Sequence, residues 1–156
     1  EIDDSKKLPI AAREALDVEI RDCAAVGVGE ASVAEIDSIN ILQAALLAMR
    51  RAVAALQPVH DMVLVDGCEH PGVEMPCTPV VGGDGIHLSI AAASIVAKVF
   101  RDRLMFQLAE LHPEYGWSTN VGYATEHHRK ALKKFGPTPH HRVSFAPVRE
   151  VLSPTD

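Results

Sequence analysis

The pattern of residues 88–104 predicts a long helix with a carboxylate on its apolar side, and no other feature constrains the fold as strongly. At about 3.6 residues per turn, Ile95, Val99 and Asp102 fall on one stripe of this helix. An uncompensated carboxylate on the buried side of a helix costs several kcal/mol. We therefore expect a cation beside Asp102, either Lys98 one turn before it or a metal ion.

Helical and strand patterns alternate around this helix, which is typical of an α/β fold. Small residues at positions 91–94 and 97 would let the helix lie close against a sheet. The segments 112–121 and 137–148 lack periodicity, so we expect irregular and extended structure there. The predicted elements are helices over residues 9–22, from 32 to before 58, over 88–104 and over 126–135, and strands over residues 24–31, 62–65 and 78–81.

Two of the predicted helices begin at capping signals. Ser32 and Glu35 form a capping box, and Thr125 precedes the basic helix as an N-cap. Apolar residues at helical spacing predict the buried stripe of the helix that begins at Ser32: Ile36, Ile39, Leu42, Leu46, Met49 and Val53.

A second carboxylate, Asp66, follows the predicted buried strand and precedes Gly67. The carboxyl ends of strands are where α/β sheets place their ligand sites. An Asp-Gly pair after a strand is also a common turn, so both interpretations stay open. Two carboxylates on different elements, Asp66 and Asp102, form the kind of pair that holds a hard divalent cation.

Charge and cysteine content limit the remaining classes. The chain has 15 Lys and Arg against 21 Asp and Glu, and this net charge of −6 argues against a general nucleic-acid coat protein but permits a local basic groove. Three cysteines without a C-x-x-C pair predict reduced thiols, and Cys68, His70 and Cys77 match no standard zinc spacing. No apolar run approaches the ~20 residues of a membrane span, so we expect a cytoplasmic protein.

Several motifs, taken together and in this order, resemble the ribonuclease HII family. The resemblance implies a ribonuclease H-like α/β fold, with a mixed sheet flanked by helices in a single domain over residues 1–156. It also implies that residues 112–156 form a C-terminal extension and that the complete protein is a monomer. The motifs are DSKKL (4–8), INILQAALLAMRRAV (39–53), VLVDG (63–67), GD (83–84), LSIAAASIVAKVFRD (88–102), GYAT (122–125) with His128 downstream, and HRVSFAPV (141–148).

The resemblance implies a metal-dependent endoribonuclease that acts in DNA repair. Such an enzyme cleaves the RNA strand of RNA/DNA hybrids, and ribonucleotides embedded in duplex DNA, with Mg²⁺ or Mn²⁺. The motifs that match imply that Asp66 and Asp102 are catalytic metal ligands. They also imply that Tyr123 packs on the sugar at the RNA-to-DNA junction and that Lys6 and Lys7 lie near the phosphate backbone.

The chain departs from the family pattern at several positions. It contains no DEAGRG-like motif, so two of the family's four metal-binding acids and its Gly-Arg-Gly loop are missing from these residues. Three positions that are basic in the family are Gly82, Ile86 and Val121, which lowers the expected affinity for phosphates. We expect the C-terminal part of a family member, with the central strands of the sheet missing. The alternative is a catalytically inactive remnant that binds hybrids.

Two further expectations concern stability and a different class of function. A sheet without its central strand should be marginal in stability and prone to pair with other chains. A small-molecule enzyme that uses the His127-His128 or His140-His141 pairs is the third hypothesis, and we expect most of these side chains at the surface.

Overall fold

Two parallel strands and six α-helices make up the regular structure of the described residues, 8–56 and 61–153 of the computed structural model. The chain divides into one unit of Glu1–Ala31 and Ala45–Phe100 and a second of Ser32–Ala44 and Arg101–Asp156. The elements are α1 (Ile10–Cys23), α2 (Val33–Ala55), β1 (Val63–Asp66), β2 (Cys77–Val80), α3 (Leu88–Leu111), α4 (Trp117–Asn120), α5 (Glu126–Phe135) and α6 (Ala146–Leu152).

The predicted strands at 62–65 and 78–81 are confirmed to within one residue at each end. They pair in parallel, with Asp66 opposite Val80, and the backbone N–H of Gly67 continues the ladder to the Val80 carbonyl at 2.9 Å. β1 is only partly buried, because Val65 alone among its residues is fully covered. The described part of the chain holds no third strand, so the mixed character of the sheet stays a prediction.

The predicted strand at residues 24–31 is wrong. This segment lies against α2, where Gly27 and Gly29 approach the helix so closely that a Cβ on either would overlap the carbonyl oxygen of Ala52 or Ala48. The side chain of Arg51 donates to the Glu30 carbonyl at 2.6 Å. The close packing inferred from the small residues is therefore correct. A strand also needs a ladder partner, and the described residues supply none here.

The capping box at the start of α2 is confirmed, because Ser32 Oγ accepts from the Glu35 N–H at 3.2 Å and Glu35 accepts from the Ser32 N–H at 2.8 Å. The single buried stripe is wrong. Asn40 has a φ of 69°, and its side chain accepts from the Gln43 N–H at 3.1 Å, so the helix stops and is capped again. The restart changes which side is buried: Leu42 is 49% exposed, whereas Leu46 is buried.

The helix predicted at 88–104 is confirmed and extends to Leu111 as α3. Its apolar stripe is buried as expected, with Ile95 fully covered and Val99 nearly so. In the first unit these two side chains join Ile20 and Val96, and partly buried residues of the 24–31 segment pack against them. A cluster from α1, α3 and that segment thus forms the core of this unit.

In the second unit, the basic helix α5 has the predicted bounds, and Thr125 Oγ1 accepts from the His128 N–H at 3.3 Å as its N-cap. The expectation of irregular structure at 112–121 is partly wrong, because Pro113–Tyr115 forms a 3₁₀ turn and Trp117–Asn120 forms α4. The core combines α3, α5 and α6 with this segment: Met105, Ala109, Tyr115, Trp117, Ala131, Leu132 and Val148.

The extended tail predicted at 137–148 is wrong at its end, where α6 begins at Ala146. Phe145 occupies the N-cap position and Pro147 lies in the first turn, where proline's fixed φ favours a helix and its missing N–H is not needed. No helix of the described segments has the length and apolar character to cross a membrane. The division between a domain over 1–156 and an extension from 112 stays a prediction.

Candidate functional site

Asp66 is the last residue of β1, and the local backbone holds its side chain in place. Its Oδ1 accepts from the Gly83 N–H at 2.9 Å, in the turn that follows β2. Gly83 is buried, and a Cβ there would come within 2.5 Å of Cδ1 of Ile90, whose side chain would have to move. Since a carboxylate has two oxygens and Asp66 is exposed, the residue can also accept a ligand from solvent. The Asp-Gly turn and the ligand site are therefore compatible interpretations.

Asp102 lies on α3 in the second unit and is only 5% exposed. The predicted burial of this carboxylate is thus confirmed. Its charge acts on the adjacent Arg101, whose pKa is lowered chiefly by burial and raised in part by Asp102. The two compensating cations considered above, Lys98 and a metal ion, remain predictions.

Tyr123 presents an exposed ring from a loop whose backbone is firmly held. The ring is 67% exposed, while Asn120 anchors the loop from within: its Oδ1 accepts from the Gly122 N–H at 2.9 Å and its Nδ2 donates to the Tyr115 carbonyl at 2.8 Å. Val121 has a φ of 41°, an uncommon conformation for a β-branched residue. An exposed aromatic ring on a fixed loop is suited to packing against a flat or apolar ligand surface.

A chain of hydrogen bonds between two buried histidines also supports this loop. The Thr138 N–H donates to Nδ1 of His141 at 3.0 Å, which leaves the ring proton of neutral His141 on Nε2. That Nε2–H donates to Nε2 of His128, with the two nitrogens 3.1 Å apart. The Nδ1–H of His128 then donates to the Tyr123 carbonyl at 3.1 Å. The two neutral histidine rings therefore form a hydrogen-bonded chain that ends at the backbone carbonyl of Tyr123.

The expectation that most of the paired histidines are surface residues is wrong for His128 and His141, each of which is 6% exposed. On α5, His128 falls on the same face as the buried Ala131 and Leu132, so helical spacing could have indicated its burial. Nothing in the local sequence indicates that His141, in a loop 13 residues away, meets it. His127 and His140 are exposed, as expected.

In donor type, Asp66 and Asp102 fit a hard divalent cation, because carboxylate oxygens are the ligands that Mg²⁺ and Mn²⁺ take in proteins. The described residues include no group of three or more His, Cys, Asp or Glu side chains placed to hold a metal ion. All three cysteines are free thiols, as predicted.

Among the described residues, the basic positions considered in the sequence analysis contribute no observed contact to the site. Lys6 and Lys7 fall outside the described residues, so their expected phosphate contact stays a prediction. Of the three positions without the family's basic residue, Gly82 has a φ of 65°, and Ile86 is 66% exposed. A lysine at position 82 would have to adopt this left-handed backbone, which disfavours residues that have a Cβ.

Comparison with known proteins gives one consistent family. A family model described as Ribonuclease HII matches residues 1–148 of the chain. A protein named ribonuclease HII from Paramagnetospirillum magneticum is 58% identical over 151 residues, which cover 97% of this chain and 75% of that protein. Its namesake from Rhodospirillum rubrum is 57% identical over 154 residues, which cover 97% of this chain and 71% of the relative.

Among solved structures, the crystal structure of the ribonuclease H2 from Pyrococcus horikoshii resembles this chain with a TM-score of 0.75. The match covers 95% of this chain and 78% of that chain at 24% sequence identity. At this identity the likeness shows the fold, and it confirms the predicted ribonuclease H-like α/β architecture.

Proposed function

Because this chain belongs to the ribonuclease HII family, whose members are endonucleases, we propose that it cleaves the RNA strand of RNA/DNA hybrids and DNA duplexes at embedded ribonucleotides. We propose Mg²⁺ or Mn²⁺ as the cofactor, Asp66 and Asp102 as its ligands, and Tyr123 as a residue that binds the substrate. A cytoplasmic location, a monomeric state and a role in DNA repair are part of the same proposal.

The observation that carries the proposal is the fixed carboxylate at the end of β1. Asp66 is oriented by the Gly83 N–H, and it occupies the position of the acid in the VLVDG motif. Asp102 occupies the final position of the helical motif and is buried, where a carboxylate is tolerated only with compensation. A bound divalent cation would activate water and stabilise the charge that develops on the phosphodiester oxygens.

In this proposal Tyr123 contacts the substrate, and neighbouring residues hold its loop in position. The exposed ring of Tyr123 would pack on the sugar at the RNA-to-DNA junction, and Asn120 and His128 hold its backbone in place. In this proposal the ring acts as a gauge of geometry through packing rather than as an acid or base.

The test compares three labelled duplexes of one sequence: a DNA duplex with a single ribonucleotide, an RNA/DNA hybrid and an all-DNA control. Incubation with Mg²⁺ or Mn²⁺ should give cleavage of the first two, no cleavage of the third, and none of any duplex in chelator. If no duplex is cut at any protein concentration with either metal, the 156 residues do not catalyse the reaction.

A second candidate is binding of the same duplexes without cleavage, favoured by the absence of a DEAGRG-like motif from the 156 residues. It predicts duplex binding that is insensitive to Mg²⁺ and leaves the strands intact. Binding that strengthens sharply with metal, or is accompanied by cleavage, would contradict this alternative.

A further inference from the structure

A cavity beside the Tyr123 loop lies entirely within the second unit and has two arginines in its wall. Arg101 reaches it from α3, and Arg142 reaches it from the segment before α6. The backbone at Gly122 and Ala124, on either side of Tyr123, forms another part of the wall. The cavity therefore adjoins the loop that is proposed to contact the substrate sugar.

Each arginine packs against neighbouring groups of the second unit. The guanidinium carbon of Arg142 lies 3.5 Å above the centre of the Phe145 ring. Arg101 packs against Gly122, where a Cβ would come within 3.1 Å of its Nη2. Within the described segments, no hydrogen bond or ion pair uses either guanidinium group. Their hydrogen-bond donors are available to an external acceptor.

Two acids near this pair, Asp37 and Asp102, attract it electrostatically. Both oxygens of Asp37 are occupied by the loop after Arg142, accepting from the Val143 N–H at 3.0 Å and from the Ser144 N–H and hydroxyl at 2.9 and 2.6 Å. Burial lowers the pKa of Arg101, and the charge of Asp102 raises it in part. Burial, followed by the charge of Arg101, lowers the pKa of Arg142, and the charge of Asp37 raises it in part. The two cations therefore repel each other across the cavity.

We propose that Arg101 and Arg142 form a phosphodiester-binding site that holds one backbone phosphate of the substrate beside the nucleotide contacted by Tyr123. A phosphodiester has two free anionic oxygens, and planar guanidinium groups match them with paired hydrogen bonds. An anion shared by the two groups would satisfy their donors and relieve their mutual repulsion. The protein partly desolvates both guanidinium groups, but Arg101 as a residue is exposed and Arg142 partly exposed, so a ligand can reach both from solvent. This site rests on the proposed function for its substrate.

The first experiment uses the dinucleotide dTpdT as a probe, which contains one phosphodiester and is not cleaved. The Nε–Hε resonances of the arginines are followed by NMR during the titration and assigned with Arg101→Lys and Arg142→Lys. Saturable shifts of both resonances are expected, with no shift of the exposed Arg129 on α5. Equal shifts at Arg129, or no saturable shift at either cavity arginine, would overturn the site.

The second experiment measures binding of the ribonucleotide-containing duplex, in chelator, at several salt concentrations. Arg101→Gln and Arg142→Gln should each weaken binding about ten-fold and reduce the slope of log K against log salt by about one. Arg129→Gln, the matched loss of one charge, should leave the affinity within about two-fold of wild type. If Arg142→Gln does not fold, Arg142→Lys keeps the charge and should show an intermediate loss.

The two proposals fail separately. If the duplex is never cut but dTpdT still shifts the two arginine resonances, the proposed catalysis is wrong and the phosphate site stands. If the duplex is cut and both Gln variants bind it like wild type, the phosphate site is wrong and the catalysis stands.

Discussion

His141 shows how a single residue can make the second unit sensitive to acid. Burial, followed by the neighbouring charge of His128, lowers its pKa to about 4. Further imidazoles, those of His112 and His140, add to this effect, and Tyr115 packs its ring against the same side chain. In the unfolded chain the pKa of a histidine is about 6.5. Between about pH 4 and about pH 6.5, the unfolded chain therefore binds a proton at His141 more readily than the folded chain does.

We therefore predict that the folded state loses stability as the pH falls from about 6.5 to about 4. The contribution of neutral His141 is fully present above the pKa of the unfolded state and disappears as the pH approaches that of the folded state. Urea denaturation of wild type and His141→Gln at pH 7.5 and pH 5 measures this. The difference in unfolding free energy between the two pH values should be smaller in the variant, and an equal difference would contradict the account.

At the scale of elements, the contact between the 24–31 segment and α2 depends on glycine. A Cβ at Gly29 would overlap backbone atoms of Ala48 and Ala52, which cannot move as a flexible side chain could. We predict that Gly29→Ala destabilises the protein by about 1–3 kcal/mol, the usual cost of overpacking. Gly85→Ala is the control, because a Cβ there meets nothing within 4 Å. Equal midpoints of urea denaturation for the two variants would show that the contact is not tight.

The elements that local sequence predicted are those with local causes. The capping box at Ser32, the cap at Thr125 and the apolar stripe of α3 arise from residues within a few positions of one another, and the structure contains all three. The strand predicted at residues 24–31 was wrong because a strand requires a hydrogen-bonded partner strand, which local sequence does not reveal. The prediction of one continuous buried stripe on α2 was wrong because a single residue with positive φ, Asn40, interrupts the helix, and such a residue leaves little trace in an otherwise helical pattern.

The candidate site likewise combines features that local sequence predicts with contacts between distant residues that it does not. Burial of Asp102 was predictable from helical spacing, and the position of Asp66 from the strand before it. The His128–His141 contact and the arginine-lined cavity join residues from separate elements, so no local pattern indicates them. Motif resemblance supplied the roles of Asp66, Asp102 and Tyr123, because physical patterning alone left a turn or an ion pair as open alternatives.

At the scale of the whole molecule, the described cores of both units are built from apolar and aromatic side chains. The described residues hold no cluster of three or more metal-ligating side chains. A protein whose fold is built on metal unfolds in chelator, whereas one that binds metal only for its chemistry does not. We predict that chelator abolishes cleavage but lowers the melting temperature by less than about 2 °C. A loss of the cooperative transition in chelator would show that the metal is structural.

The central claim is that Asp66 and Asp102 bind the cation that cleavage requires. The most direct measurement is the initial rate of cleavage of the ribonucleotide-containing duplex by wild type, Asp66→Asn and Asp102→Asn. Asp61→Asn is the matched control, because Asp61 is an exposed acid that lies just before β1. Since a bound cation supplies several kcal/mol to such a reaction, we predict that each of the first two variants is slower by at least about a hundred-fold, with the control unchanged. Cleavage at the wild-type rate by either Asp66→Asn or Asp102→Asn would contradict the claim.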